Sequence, residues 1–180
     1  IRPPDDDRGD PVLGGNTLLY GATGGELFVA GRVGERLAVR NSGAVAVVEG
    51  AGHYACEYMT GGTVVILGPV GHGIGAGMSA GEVFVWDPEG LVPSKLASGA
   101  VLARRPTAEQ SGRLRALVER HAALTGSDIG ATLLARWHLA SDDFWRLAPG
   151  VGAVRGPAGD AGPDTSDGAR STLPVRAPAG

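Results

Sequence analysis

A chain of 180 residues with 43% apolar but only 5% aromatic residues can bury one core, and a narrow one. Its net charge of −3, with no Lys/Arg cluster beyond Arg104-Arg105, excludes a nucleic-acid surface, and no apolar run approaches the roughly 18 residues of a membrane span. The single cysteine, Cys56, excludes an internal disulfide, a Cys-based zinc site and any iron–sulfur cluster held by this chain alone.

In chain order, residues 1–15, with Pro3-Pro4 and Asp5-Asp6-Asp7, read as a polar loop. The chain starts at Ile1 rather than Met, so it is expected to be a piece of something longer, with an open coil edge near Asn16 that favours self-association. Residues 16–87 repeat. A glycine followed by a short apolar strand recurs at Gly25, Gly43, Gly62 and Gly81, in steps of 18, 19 and 19. A second strand is expected half a repeat away, at Leu18 to Gly21, Leu37 to Arg40, Cys56 to Met59 and Gly75 to Met78. Short strands at constant spacing, with no helix between them, predict a β-solenoid whose coils bury one another's apolar faces. Alternation assigns Leu27 and Val29, Val45 and Val47, Val64 and Ile66, Val83 and Val85 to the interior. The opposite phase carries Phe28, Val65 and Phe84, so that face is expected to be covered by other protein.

Residues 88–106 read as a connecting loop. Thr107 to Gln110 has the spacing of a capping box, opening a helix with Leu114, Leu117, Val118, His121 and Leu124 on one face and Gly126 as its stop. Ser127-Asp128 caps a second helix carrying Ile129, Leu133 and Trp137, and the short link makes the two an antiparallel pair. Phe144 and Trp145 add an apolar anchor. The Gly-, Ala-, Pro- and Asp-rich stretch 150–180 is expected to be disordered. The expected division is thus a β-helix over 1–90, a loop and helical extension over 91–149, and a tail.

No stretch makes a catalytic site. The densest glycine run holds Gly71, Gly73, Gly75 and Gly77, and Gly75 to Ala80 fits a relaxed dinucleotide pattern. That pattern holds a pyrophosphate only where a helix begins at its end, and here another repeat strand follows. The run is therefore read as structural. Steps of 19 align Cys56 with Leu18 and Leu37, as an inert inward residue, with His53 the only nearby base. His53, His72, His121 and His138 have no metal-ligand spacing, and His121 reads as a half-buried packing residue. Glu26, Glu35, Glu49, Glu57 and Glu82 are expected near turns, pairing with Arg32, Arg36 and Arg40. No catalytic, cofactor-binding or metal-binding residue is assigned.

Asn16 to Glu26, Gly34 to Ala44, Ala46 to Gly50, Cys56 to Gly62 and Gly75 to Ser79 together resemble the C-terminal domain of the glutamate synthase large subunit. The likeness continues through Glu119-Arg120-His121, Thr125-Gly126-Ser127 and Leu133 to Trp137. It weakens at Phe144 to Pro149, which resembles the family's Phe-x-Lys-Val-x-Pro element with altered residues.

That resemblance implies a right-handed, single-stranded parallel β-helix, the GXGXG domain, with a helical extension. It also implies a scaffold role in an enzyme that makes two glutamates from glutamine and 2-oxoglutarate. The implied partners are upstream glutaminase and FMN-binding synthase domains, and a small flavoprotein subunit where NADPH is the donor. FMN, a 3Fe-4S cluster and the small subunit's FAD would be held outside this chain, and the implied location is cytoplasmic. The alternative is a stand-alone GXGXG subunit of a multi-subunit oxidoreductase, such as an archaeal-type glutamate synthase or formylmethanofuran dehydrogenase.

Overall fold

The computed structural model describes residues 1–2, 11–97 and 101–150, so the expected tail lies outside the described residues except for Gly150. The chain is a mostly parallel β-solenoid of about four turns. Its strands are β1 (Val12–Gly14), β2 (Glu26–Val33), β3 (Val45–Ala51), β4 (Thr60–Ile66) and β5 (Ala80–Trp86), followed by α1 (Val92–Lys95) and β6 (Val101–Arg104). Then come α2 (Ala108–Thr125), α3 (Asp128–Ala135), α4 (Trp137–Ala140), a single 3-10 turn and β7 (Phe144–Pro149). Among the described residues the strands form one sheet in the order β1-β2-β3-β4-β5-β7-β6.

Strands β1 to β5 pair in parallel, each one coil above the last. Their register stacks Phe28, Val47, Val65 and Phe84 in one column, and Val29, Val48, Ile66 and Val85 in the next. The second column packs inside the solenoid with Ala46, Val64 and Val83; the first points outward. In β3 the inward residues are therefore Ala46 and Val48, not Val45 and Val47. The expected spacing took Gly43 as the counterpart of Gly25 and Gly62, whereas the register puts Ala44 there. A one-residue slip moves every side chain of a strand to the other face. Asn41 holds the local turn: its buried side chain accepts from the Gly43 and Ala44 amides and donates to the Ala44 carbonyl. Gly43 is instead a close-approach residue, where a Cβ would meet the Thr23 carbonyl.

The outward column is covered by the chain itself rather than by other protein. Phe28, Val47, Val65, Leu67 and Phe84 form one core with Leu114 and Val118 of α2, Leu133 of α3, Ala140 of α4 and Phe144 of β7. The capping box forms as its spacing implies, with Gln110 N–H donating to Thr107 Oγ1 and Thr107 N–H to Gln110 Oε1. Gly126 ends α2 in the left-handed conformation, and Ser127 caps α3. Two apolar positions depart from expectation: Leu124 is exposed, and α3 ends at Ala135, before Trp137.

The expected loops hold structure. Residues 12–14 form β1, so the stack begins before Asn16, and residues 88–106 contain α1 and β6. Phe144 to Pro149 is an antiparallel strand between β5 and β6, pairing Val85 with Trp145 and Ala103 with Leu147. It closes the last coil's edge, the position where a solenoid most needs a cap.

Val64→Asp places an unpaired carboxylate in the dry interior column and is expected to cost at least about 3 kcal/mol in urea unfolding. His72→Ala, at an exposed turn, is expected to cost less than about 1 kcal/mol. Equal costs would contradict the observed register.

Candidate functional site

The corners expected to be second strands are turns in which every other residue has a positive φ. The left-handed positions are 17, 19 and 21 in the first coil, 36, 38 and 40 in the second, 54, 56 and 58 in the third, and 73, 75 and 77 in the fourth. Eight of these twelve residues are not glycine, and such a conformation costs roughly 1–2 kcal/mol each. Inter-coil hydrogen bonds offset that cost. Arg36 N–H donates forward to the His53 carbonyl at 2.9 Å, Cys56 N–H donates back to Leu37 at 2.7 Å, and Tyr58 N–H donates forward to Ala76 at 2.7 Å. Leu37, Ala55 and Ile74, each between two left-handed residues, lie in the core together with the left-handed Ala38 and Cys56.

This ladder explains the glycine run. A Cβ on Gly73 would lie 2.6 Å from Tyr54 Cδ1, and one on Gly77 would lie 2.5 Å from Tyr58 Cδ1. At Gly75 it would meet Val101 Cγ2 at 2.9 Å. Gly71 has an ordinary φ and is small because a Cβ there would press on the His53 backbone. No helix follows Gly75 to Ala80, because Ala80 opens β5. The run therefore lacks the helix terminus that a pyrophosphate needs.

Cys56 is the register partner of Ala38 and Gly75, one residue away from the expected alignment with Leu18 and Leu37. It is fully buried, and burial pushes its thiol up to about 12, so it does not ionise near neutral pH. His53 is turned elsewhere, its Nδ1 accepting the His72 amide at 3.0 Å and its ring stacking on that of His72. Among the described residues no group of three or more His, Cys, Asp or Glu side chains is placed to hold a metal ion.

The polar centre of the molecule is a cluster the residue spacing did not reveal. Glu49 was expected near a turn; it lies on β3, buried, two residues after Val47 on the outward face. Its Oε1 accepts hydrogen bonds from Ser127 Oγ and from His121 Nε2, the latter at 3.2 Å. Ser127 Oγ in turn accepts the Gly130 amide, and Thr125 Oγ1 donates to the His121 carbonyl. His121 is thus fully buried and hydrogen-bonded, not half-buried. The Nε2–H of the imidazole is the donor this wiring requires, and the buried Nδ1 has no hydrogen-bond partner among the described residues. Hydrolytic triads join serine to histidine; here both bond the carboxylate instead, and all three are closed to solvent. The arrangement clasps α2 and α3 to β3.

Two outer glutamates repeat the theme. Glu26 holds Arg120 of α2 through two bonds of 2.7 and 2.6 Å. The Arg120 hydrogen bond, reinforced by its charge and opposed by desolvation, lowers the Glu26 carboxyl below its usual 4.5. The contribution of this pair to stability is present above that value and is lost as pH falls through the lowered one. Glu82 binds Arg113 of α2 and Arg146 of β7. The expected partners Arg32, Arg36 and Arg40 take no part in these pairs.

A family described as the GXGXG motif matches residues 1–150. The chain belongs to the GXGXG family. Ferredoxin-dependent glutamate synthase 2 of Synechocystis is 48% identical over 141 residues, covering 78% of this chain and 9% of the relative. The chloroplastic ferredoxin-dependent glutamate synthase of Spinacia oleracea matches equally. The glutamate synthase [NADPH] large chain of Azospirillum brasilense is 46% identical over 136 residues, covering 75% of this chain and 9% of the relative. The chain thus spans about a tenth of the length of these relatives.

Removing the carboxylate in Glu49→Ala strands His121 Nε2 and Ser127 Oγ in an apolar layer and is expected to cost about 2–4 kcal/mol. The double variant Glu49→Leu/His121→Leu should cost less than the sum of its two single variants, measured by a urea double-mutant cycle. Strict additivity would mean the two side chains do not act together.

Proposed function

We propose that this chain is the solenoid portion of a cytoplasmic glutamate synthase and that it acts as a scaffold rather than a catalyst. The observation that carries the reading is 46–48% identity over 136–141 residues to glutamate synthases using either ferredoxin or NADPH. Identity at that level to enzymes with different donors suits a part that does not handle the donor. The side chains support a structural role: the buried polar groups face one another across the sheet–helix junction, and the one thiol is held protonated. The catalytic cysteine, FMN and 3Fe-4S cluster of such an enzyme would belong to the rest of the polypeptide. A single buried cysteine does not offer the set of thiolates that an iron–sulfur cluster takes. No described helix is long and apolar enough to cross a membrane.

The test is replacement. The Synechocystis relative, with its matching segment exchanged for residues 1–150 of this chain, is expected to form glutamate with kcat/KM within about threefold of its own value, because uniform support leaves the transition state untouched. The isolated chain should show no glutaminase or glutamate-forming turnover and no bound flavin. Turnover by the isolated chain, or a soluble chimera that binds flavin yet forms no glutamate, would overturn the reading.

A further inference from the structure

The outer face of the sheet is covered by helices over β2 to β5 but lies open toward β6, where Leu102 and Arg104 are exposed. Arg104 and Arg146 stand directly opposite each other across the antiparallel β6–β7 pair. Directly opposed residues leave a sheet on the same side, and like charges so placed repel. Arg146 is only partly compensated. Its Nε meets Glu82 Oε2 at 2.8 Å, while the other oxygen of that carboxylate is taken by Arg113 at 3.0 Å. Glu82 is thus shared between two guanidiniums, with Glu109 a further 3.9 Å partner for Arg113 alone, and the Arg104 side chain makes no hydrogen bond or ion pair among the described residues. Both opposed arginines line a cleft of roughly 350 Å³, whose wall also includes Ser79, Gly81 and Ala148.

We propose that this cleft binds a small oxyanion, a carboxylate or phosphate group, between Arg104 and Arg146. A guanidinium presents a planar fork of N–H donors matched to the paired oxygens of either group. Two such forks on adjacent strands, with the Ser79 hydroxyl as a neutral donor, supply several hydrogen bonds, and the anion brings the missing counter-charge. The cleft has room for a small molecule and not for a folded partner. An anion seated there relieves the repulsion between the strands, so its binding also stabilises the sheet edge.

The experiment titrates the full 180-residue chain separately with inorganic phosphate and with glutarate, at constant ionic strength in chloride, following backbone amide shifts and the thermal midpoint. Saturable shifts at Ser79, Gly81 and residues 102–104 are expected with at least one probe, and which probe binds distinguishes a phosphoryl from a carboxylate ligand. Arg104→Gln should weaken binding about tenfold and Ser79→Ala about threefold, as loss of a charged and a neutral hydrogen-bond donor would. Arg136→Gln, an exposed arginine away from the cleft, should leave it unchanged. Absence of saturation with both probes would overturn the proposal, as would unchanged binding in Arg104→Gln or equal weakening in Arg136→Gln.

Discussion

The parallel register that stacks Phe28, Val47, Val65 and Phe84 in one outward column determines where nearly everything else in the molecule must go. A parallel strand that is apolar on both faces needs both faces covered, and the solenoid interior covers only one. The chain supplies the second cover itself, by laying Leu114, Val118 and Leu133 over that column. The helices are therefore part of the same packed structure and no appendage to it. The register also carries Glu49 into the covered layer, two residues after Val47 on the same face. A carboxylate there must be paired, and His121 and Ser127 are positioned to pair it.

The corners follow a different rule. Alternating left-handed residues allow tight turns whose amides point alternately to the coil before and the coil after, so each coil satisfies its neighbours' backbone groups. Tyrosine, arginine and even Cys56 accept the left-handed conformation where space allows. Glycine becomes necessary in the last coil, where Tyr54, Tyr58 and Val101 close over it. The dense glycine run is thus explained by what packs on it, with no phosphate in the account.

Much of this was legible in the residues. The repeat, the capping box at Thr107 and Gln110, and the stop at Gly126 follow from local chemistry, and they stand where local chemistry puts them. What was not legible depends on register. β2 carries an extra residue between Val29 and Arg32 relative to β3, and no composition signal says whether Gly43 or the neighbouring Ala44 marks the repeat. That single step hid the inward face of β3 and the alignment of Cys56, whereas the burial of Glu49 depends on His121 and Ser127, 72 and 78 residues later. β7 was missed because its cross-strand partner β5 lies some sixty residues earlier, beyond any local pattern.

The central claim is that the solenoid and its helices form one cooperative unit, joined through the outward column and the Glu49 clasp. Native-state hydrogen exchange on the full chain tests it most directly. The amides of Val47, Val65, Leu114, Val118 and His121 are predicted to exchange through a single opening, with the same free energy and the same denaturant dependence. Exchange of the α2 amides through a separate, lower-energy opening, while those of β3 and β4 stay protected, would contradict it.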